Sequence, residues 1–129
     1  MEFEEKTLDS ECVYDGKIMT VYRDSVKISD GHKSFREVVH HSGGVVILAL
    51  TDDDNILTVK QFRYPLKDTI LELPAGKLEK GENPDFAAKR ELEEETGYCA
   101  KTWKSLGYIS TSPGYSDEKL YLYFAKDLE

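Results

Sequence analysis

The first third of the chain alternates apolar and polar residues between turn signals. Cys12-Val13-Tyr14, Asp15-Gly16 and Ile18-Met19-Thr20-Val21-Tyr22 predict a β-hairpin around an Asp-Gly turn. Asp30-Gly31 marks a second turn, followed by a strand over Ser34-Phe35-Arg36-Glu37-Val38-Val39. After Gly43-Gly44, the run Val45-Val46-Ile47-Leu48-Ala49-Leu50 is apolar on both faces, as a buried central strand requires. Asp52-Asp53-Asp54-Asn55 then turns the chain into another strand, Ile56 to Phe62. The aspartates do not form a calcium loop. Counted from Asp52, Leu57 stands where the loop needs glycine, and Arg63 stands where it needs glutamate.

Thr69-Ile70-Leu71-Glu72-Leu73 reads as a short strand stopped by Pro74. One helix is well signalled: Asn83 suits the N-cap, Pro84 the first helical position and Asp85 the positive dipole end, and Gly97 closes it. Two strands finish the chain, one from about Trp103 to Ser110 and one over Leu120-Tyr121-Leu122-Tyr123-Phe124. Many strands around one helix predict an α+β domain on a mixed sheet. The 129 residues make a single domain. Residues 1–42 are expected to form N-terminal antiparallel strands, and residues 43–129 a catalytic core.

Composition narrows the function. Hydrophobic residues are 40% of the chain, enough for a core without disulfides or metal clips. The formal net charge is −8, which disfavours nucleic acid as a partner, although a divalent cation can bridge acidic groups to phosphates. Cys12 and Cys99 form no metal or redox motif and fit a reducing cytoplasm. The acidic start, Met1-Glu2-Phe3-Glu4-Glu5, is unlike a secretory signal, and the run Val45–Leu50 is too short to cross a membrane. His32, His40 and His41 lack metal-ligand spacing and read as structural or solvated.

The helix is acidic at the wrong end. Arg90-Glu91-Leu92-Glu93-Glu94-Glu95-Thr96-Gly97 places four carboxylates in its last turns, where the dipole and i,i+4 repulsion both oppose them. Glu91, Glu94 and Glu95 project from one face. A solvated charged face is the plain reading; a hard cation with oxygen ligands is the functional one, because it turns repulsion into coordination. Gly76 and Gly81 do not make a phosphate-cradling loop, since Glu82-Asn83 stand where Lys and Ser/Thr are needed.

Gly76, five residues, Glu82, seven residues, Arg90-Glu91-Leu92, one residue, Glu94-Glu95, one residue and Gly97-Tyr98 together resemble the Nudix box, with Tyr98 where an aliphatic residue is common. The resemblance implies the Nudix fold and a loop–helix–loop that binds Mg²⁺ or Mn²⁺ to hydrolyse nucleoside diphosphates linked to another moiety. It makes Glu91 and Glu95 the principal metal ligands, Glu94 an additional ligand or one step removed from the metal, and Ala75 a backbone ligand. Arg90 would orient the glutamates, and Glu82 would stand in the outer shell.

The flanks resemble the ADP-ribose pyrophosphatase branch in Gln61-Phe62-Arg63, in Glu72-Leu73-Pro74-Ala75-Gly76-Lys77-Leu78-Glu79, and in Thr111-Ser112-Pro113-Gly114-Tyr115-Ser116-Asp117-Glu118. The implied reaction is ADP-ribose plus water giving AMP and ribose 5-phosphate. Arg36 and Arg63 would fork onto the diphosphate, or else serve surface or strand-pair ion bridges. Ser112, Pro113 and Gly114 would contact the terminal ribose, Glu118 would position water or ribose, and Leu78 would line the pocket. The family's homodimer, in which N-terminal strands complete the partner's adenine site, is the implied assembly. Its members continue beyond the Tyr121–Phe124 strand with an acidic loop that supplies the proposed general base, a strand and a helix. This chain stops at Lys126-Asp127-Leu128-Glu129, so a C-terminally truncated form, with sheet hydrophobics exposed, is expected. Another nucleoside-diphosphate sugar, a dinucleotide, or nucleotide binding without turnover are the alternatives.

Overall fold

The computed structural model describes residues 3–129, which divide into two compact units. One unit comprises residues up to Ser42 together with Ser110–Glu118; the other comprises Gly43–Ile109 and Lys119–Glu129. Among the described residues, no helix is long and apolar enough to cross a membrane.

The first unit is a three-stranded antiparallel sheet, β1 (Lys6–Asp15), β2 (Met19–Lys27) and β3 (Lys33–His41), in that order. Both predicted turns are present, and the strands run longer than the apolar runs alone suggest. β1 is exposed at every residue, and Val26 of β2 is the one fully buried hydrophobic residue described in this unit. Residues 111–118 attach to the end of β3: the Val39 amide donates to the Tyr115 carbonyl at 2.7 Å, and the Asp117 amide to the Val39 carbonyl at 3.1 Å.

The second unit carries the core. β4 (Gly44–Ala49) is the central strand of a mixed sheet, with β7 (Ala75–Lys77) antiparallel on one side and β9 (Lys119–Leu128) parallel on the other. β8 (Ala100–Ser110) lies beyond β9. A parallel pair needs a long crossover, and the segment between β4 and β9 includes α1 (Pro84–Thr96). Val45, Ile47 and Ala49 of β4 pack with Leu78, with Ala87, Ala88 and Leu92 of α1, and with Tyr123 and Ala125 of β9. β5 (Val59–Arg63) and β6 (Asp68–Glu72) form a separate hairpin through a 3₁₀ turn, Tyr64–Leu66.

Two details correct the sequence reading of the elements. The strand expected from Ile56 begins at Val59, because Ile56 makes only an isolated bridge to Leu50 and closes the Asp52–Asn55 turn. The segment at Gly76, read as loop, is β7, whose three residues pair with Gly44, Val45 and Val46. Leu106, Tyr108 and Ile109 on β8 are about half exposed.

Candidate metal and diphosphate site

The site is built on α1, and α1 is fixed at both ends. The Asn83 side chain accepts from the Asp85 amide at 2.8 Å, and Pro84 follows as the first helical residue. At the other end Gly97 has φ 77°, a left-handed conformation that suits glycine, and its amide donates to the Glu93 carbonyl at 2.8 Å. Ala87, Ala88 and Leu92 face the core; of the glutamates in the last two turns, Glu93, Glu94 and Glu95 are exposed and Glu91 is half-buried.

Arg90 organises that side. Its Nη2 donates to both oxygens of Glu82 at 2.9 and 3.2 Å; its Nη1 donates to Glu91 Oε1 at 2.9 Å and to Glu94 Oε2 at 3.3 Å. Glu82 is also tied to its own loop by the Glu79 amide at 3.1 Å, which with Arg90 holds its carboxyl below the ordinary range. The side chains of Glu82 and Glu91 are largely buried, whereas that of Glu94 is exposed.

Glu91 lies against β7. A Cβ built on Gly76 would fall on the Glu91 carboxyl group, so only glycine leaves room for it. Glu95 has a different setting. Burial pushes its carboxyl above the ordinary range, the Ala75 amide pulls it down by a hydrogen bond, and the Glu91 charge pushes it up again; Arg63 and Glu72 also act on it, in opposite senses. Arg63 is engaged by Glu72 in a fork, Nε to Oε2 at 2.6 Å and Nη2 to Oε1 at 2.5 Å.

The donor set is all oxygen, which suits a hard divalent cation. Among the described residues no group of three or more His, Cys, Asp or Glu side chains forms a ready-made cage. Mg²⁺ does not require one. It is commonly held by one or two carboxylates, with waters and substrate phosphates completing the shell. The residues present therefore fit a cation shared with a phosphate ligand.

The family comparison agrees with this geometry. The NUDIX domain family matches residues 40–129, most of the chain, and the nucleoside diphosphate sugar hydrolase N-terminal domain family matches residues 5–39. The chain belongs to the Nudix family. Within that family it is 50% identical over 125 residues to a Bacillus subtilis (strain 168) ADP-ribose pyrophosphatase, covering 97% of this chain and 68% of that one. It is 47% identical over 126 residues to a methanol dehydrogenase activator of Bacillus methanolicus, covering 98% and 68%. An ADP-ribose pyrophosphatase of Mycobacterium tuberculosis (strain ATCC 25618 / H37Rv) is 42% identical over 128 residues, covering 98% and 62%. A crystal structure of an ADP compounds hydrolase superposes with a TM-score of 0.86 at 25% identity, covering 98% and 69%. The chain thus spans about two thirds of the length of these Nudix relatives.

The structure groups Arg63, Ala75, Arg90, Glu91, Glu94 and Glu95 within the second unit. Ala75, expected as a backbone ligand, is a β7 residue whose amide serves Glu95. Leu78, expected in the pocket, is packed into the core at 6% exposure. In the first unit, Arg36 is forked onto Glu5, with Nε and Nη2 both at 2.9 Å, the surface ion bridge weighed for it from sequence. Ser112, Pro113 and Gly114 form the turn before Glu118, and the Ser112 carbonyl accepts from the Tyr115 and Ser116 amides. Glu118 accepts from Thr111 Oγ1 at 2.7 Å and pairs with His41 at 3.2 Å; Asp117 pairs with His40 at 2.7 Å. Sequence reasoning did not anticipate these histidine–carboxylate pairs or the part played by Glu72.

Proposed function

We propose that this chain hydrolyses the diphosphate of ADP-ribose with water, giving AMP and ribose 5-phosphate, and that Mg²⁺, or Mn²⁺ in its place, assists. The observation that carries the proposal is the Arg90-ordered glutamate face, on a chain similar over nearly its whole length to two proteins named ADP-ribose pyrophosphatase. Glu91 and Glu95, with Glu94 beside them, would hold the cation. When bound, it supplies charge neutralisation on the phosphates and a more acidic bound water.

The chain's own residues do the rest. Arg90 fixes the Glu91 and Glu94 carboxylates, and Glu82 holds Arg90 from the other side. The Ala75 amide fixes Glu95, whose carboxylate gains from any positive charge brought to it. Arg63 offers a guanidinium to the diphosphate from the same neighbourhood. Arg36 and Leu78 stay with the ion-bridge and packing roles that their contacts support.

We assign the reaction to the cytoplasm, since both cysteines are free and exposed. A homodimer is the proposed assembly. The fully exposed β1 edge supports it, and sedimentation at a mass near 14.7 kDa would refute it. A second reading keeps the same site and moves the reaction to a dinucleotide or another nucleoside-diphosphate sugar, since the glutamate face and Arg63 address the diphosphate and not the groups on either side of it. A panel of ADP-ribose, other nucleoside-diphosphate sugars and dinucleotides, with products identified by chromatography, separates the two. ADP-ribose should be turned over most efficiently; preference for a dinucleotide would favour the second reading.

A further inference from the structure

Resting on that reading, we propose that Glu72 is a positioning residue for Arg63: it docks one edge of the guanidinium and so presents the other edge to the substrate diphosphate. A guanidinium has five N–H donors in one plane. Nε and Nη2 are both spent on the two oxygens of Glu72, at 2.6 and 2.5 Å. Three donors remain, two on Nη1 and one on Nη2, and they point away from Glu72 by the geometry of the fork.

The pair stands in the neighbourhood of Glu95, on whose carboxyl the charges of Arg63 and Glu72 both act. The Arg63 side chain is 43% exposed, whereas Glu72 is 17% exposed, so the anchor is the more sheltered partner and the arginine remains accessible. The backbone joins the parts. Glu72 ends β6, Pro74 follows, the Ala75 amide donates to Glu95, and Gly76 makes room for Glu91. Five consecutive residues therefore set the diphosphate arginine and two glutamates relative to one another. A displaced arginine would weaken ground-state binding of the diphosphate while leaving the glutamate face intact.

The test compares steady-state hydrolysis of ADP-ribose with Mg²⁺ by the wild type, Glu72→Ala, Glu72→Gln, Arg63→Ala and the Arg63→Ala/Glu72→Ala double variant, with thermal melting of each. Glu72→Ala should raise KM about tenfold or more, since small misplacement of a binding group costs up to about 10²-fold. Its kcat should stay within about twofold, Glu72→Gln should recover part of the loss, and the double variant should match Arg63→Ala. A wild-type KM in Glu72→Ala overturns the inference alone. So does a lowered KM, which would make Glu72 a competitor for Arg63, and so do additive single effects. Absence of ADP-ribose turnover by the wild type overturns the proposed function itself, and this inference with it.

Discussion

Gly76 and Glu91 show how closely a single residue can control the site. The Glu91 carboxyl occupies the space where any other residue would carry a side chain. Gly76→Ala must push either the α1 glutamate or β7 aside, at a cost of about 1–3 kcal/mol for overpacking a filled position. Loss of metal-dependent activity should exceed loss of stability, because Glu91 is also the shorter-range partner of Arg90 at 2.9 Å. Titration of Mg²⁺ against the variant, alongside a denaturant melt, measures both. Unchanged Mg²⁺ dependence would show that the close approach has no bearing on the cation. At this scale the sequence was informative where spacing is local. Arg90 reaches Glu94 one helical turn on, and that is legible from i,i+4 geometry, whereas its bond to the adjacent Glu91 is not. The fork between Arg63 and Glu72 was not, because either residue has an equally good surface role in an acidic chain.

α1 is the element on which the site depends, and its stability comes from the core. Leu92 is fully buried among Val45, Ile47, Tyr123 and Ala125. Leu92→Ala should cost about 2–5 kcal/mol, measured by chemical denaturation. A cost below 1 kcal/mol by the same scale would mean that α1 does not rely on this packing. The helix could be read from sequence because caps, first-turn proline and terminal glycine all agree within its own residues. β7 could not, since a three-residue strand is defined by its partner β4 and not by its composition.

The 111–118 segment gives the matching case in the first unit. Burial alone would raise the Asp117 carboxyl, but hydrogen bonds from His40 and from the His41 amide outweigh it and hold the group below its ordinary value. A depressed carboxylate adds stability above its unfolded-state pKa, and that stability is lost as pH falls through the folded value. Protection of the Val39 and Asp117 amides, taken relative to their intrinsic exchange rates, should therefore fall in acid, below about pH 4, where aspartate begins to take up protons. Asp117→Asn should show the lower protection already at neutral pH. Equal protection of both proteins at neutral pH would remove Asp117 from this attachment. His40 and Asp117 are 77 residues apart in sequence, which is why the partner of a histidine read as structural or solvated could not be named from sequence.

For the whole molecule the net charge of −8 sets the main constraint. An acidic chain acting on an acidic diphosphate needs positive charge at the point of contact, supplied by a few arginines and by a divalent cation. The family, the mixed sheet and the helix that bears the glutamates were all legible in the sequence, because the box fixes residue types at fixed spacings. The partners of the individual cations were legible only in part, since each depends on segments brought together by the sheet. The central claim is that the Glu91–Glu95 face makes this chain a metal-dependent hydrolase of ADP-ribose. The most direct test is AMP release from ADP-ribose with and without Mg²⁺, for the wild type and for Glu95→Gln. Release that requires Mg²⁺ and falls by more than about 10²-fold in the variant is the predicted result, since loss of groups that only support metal ligands already costs 10–100-fold. Release that persists unchanged in Glu95→Gln would contradict the account.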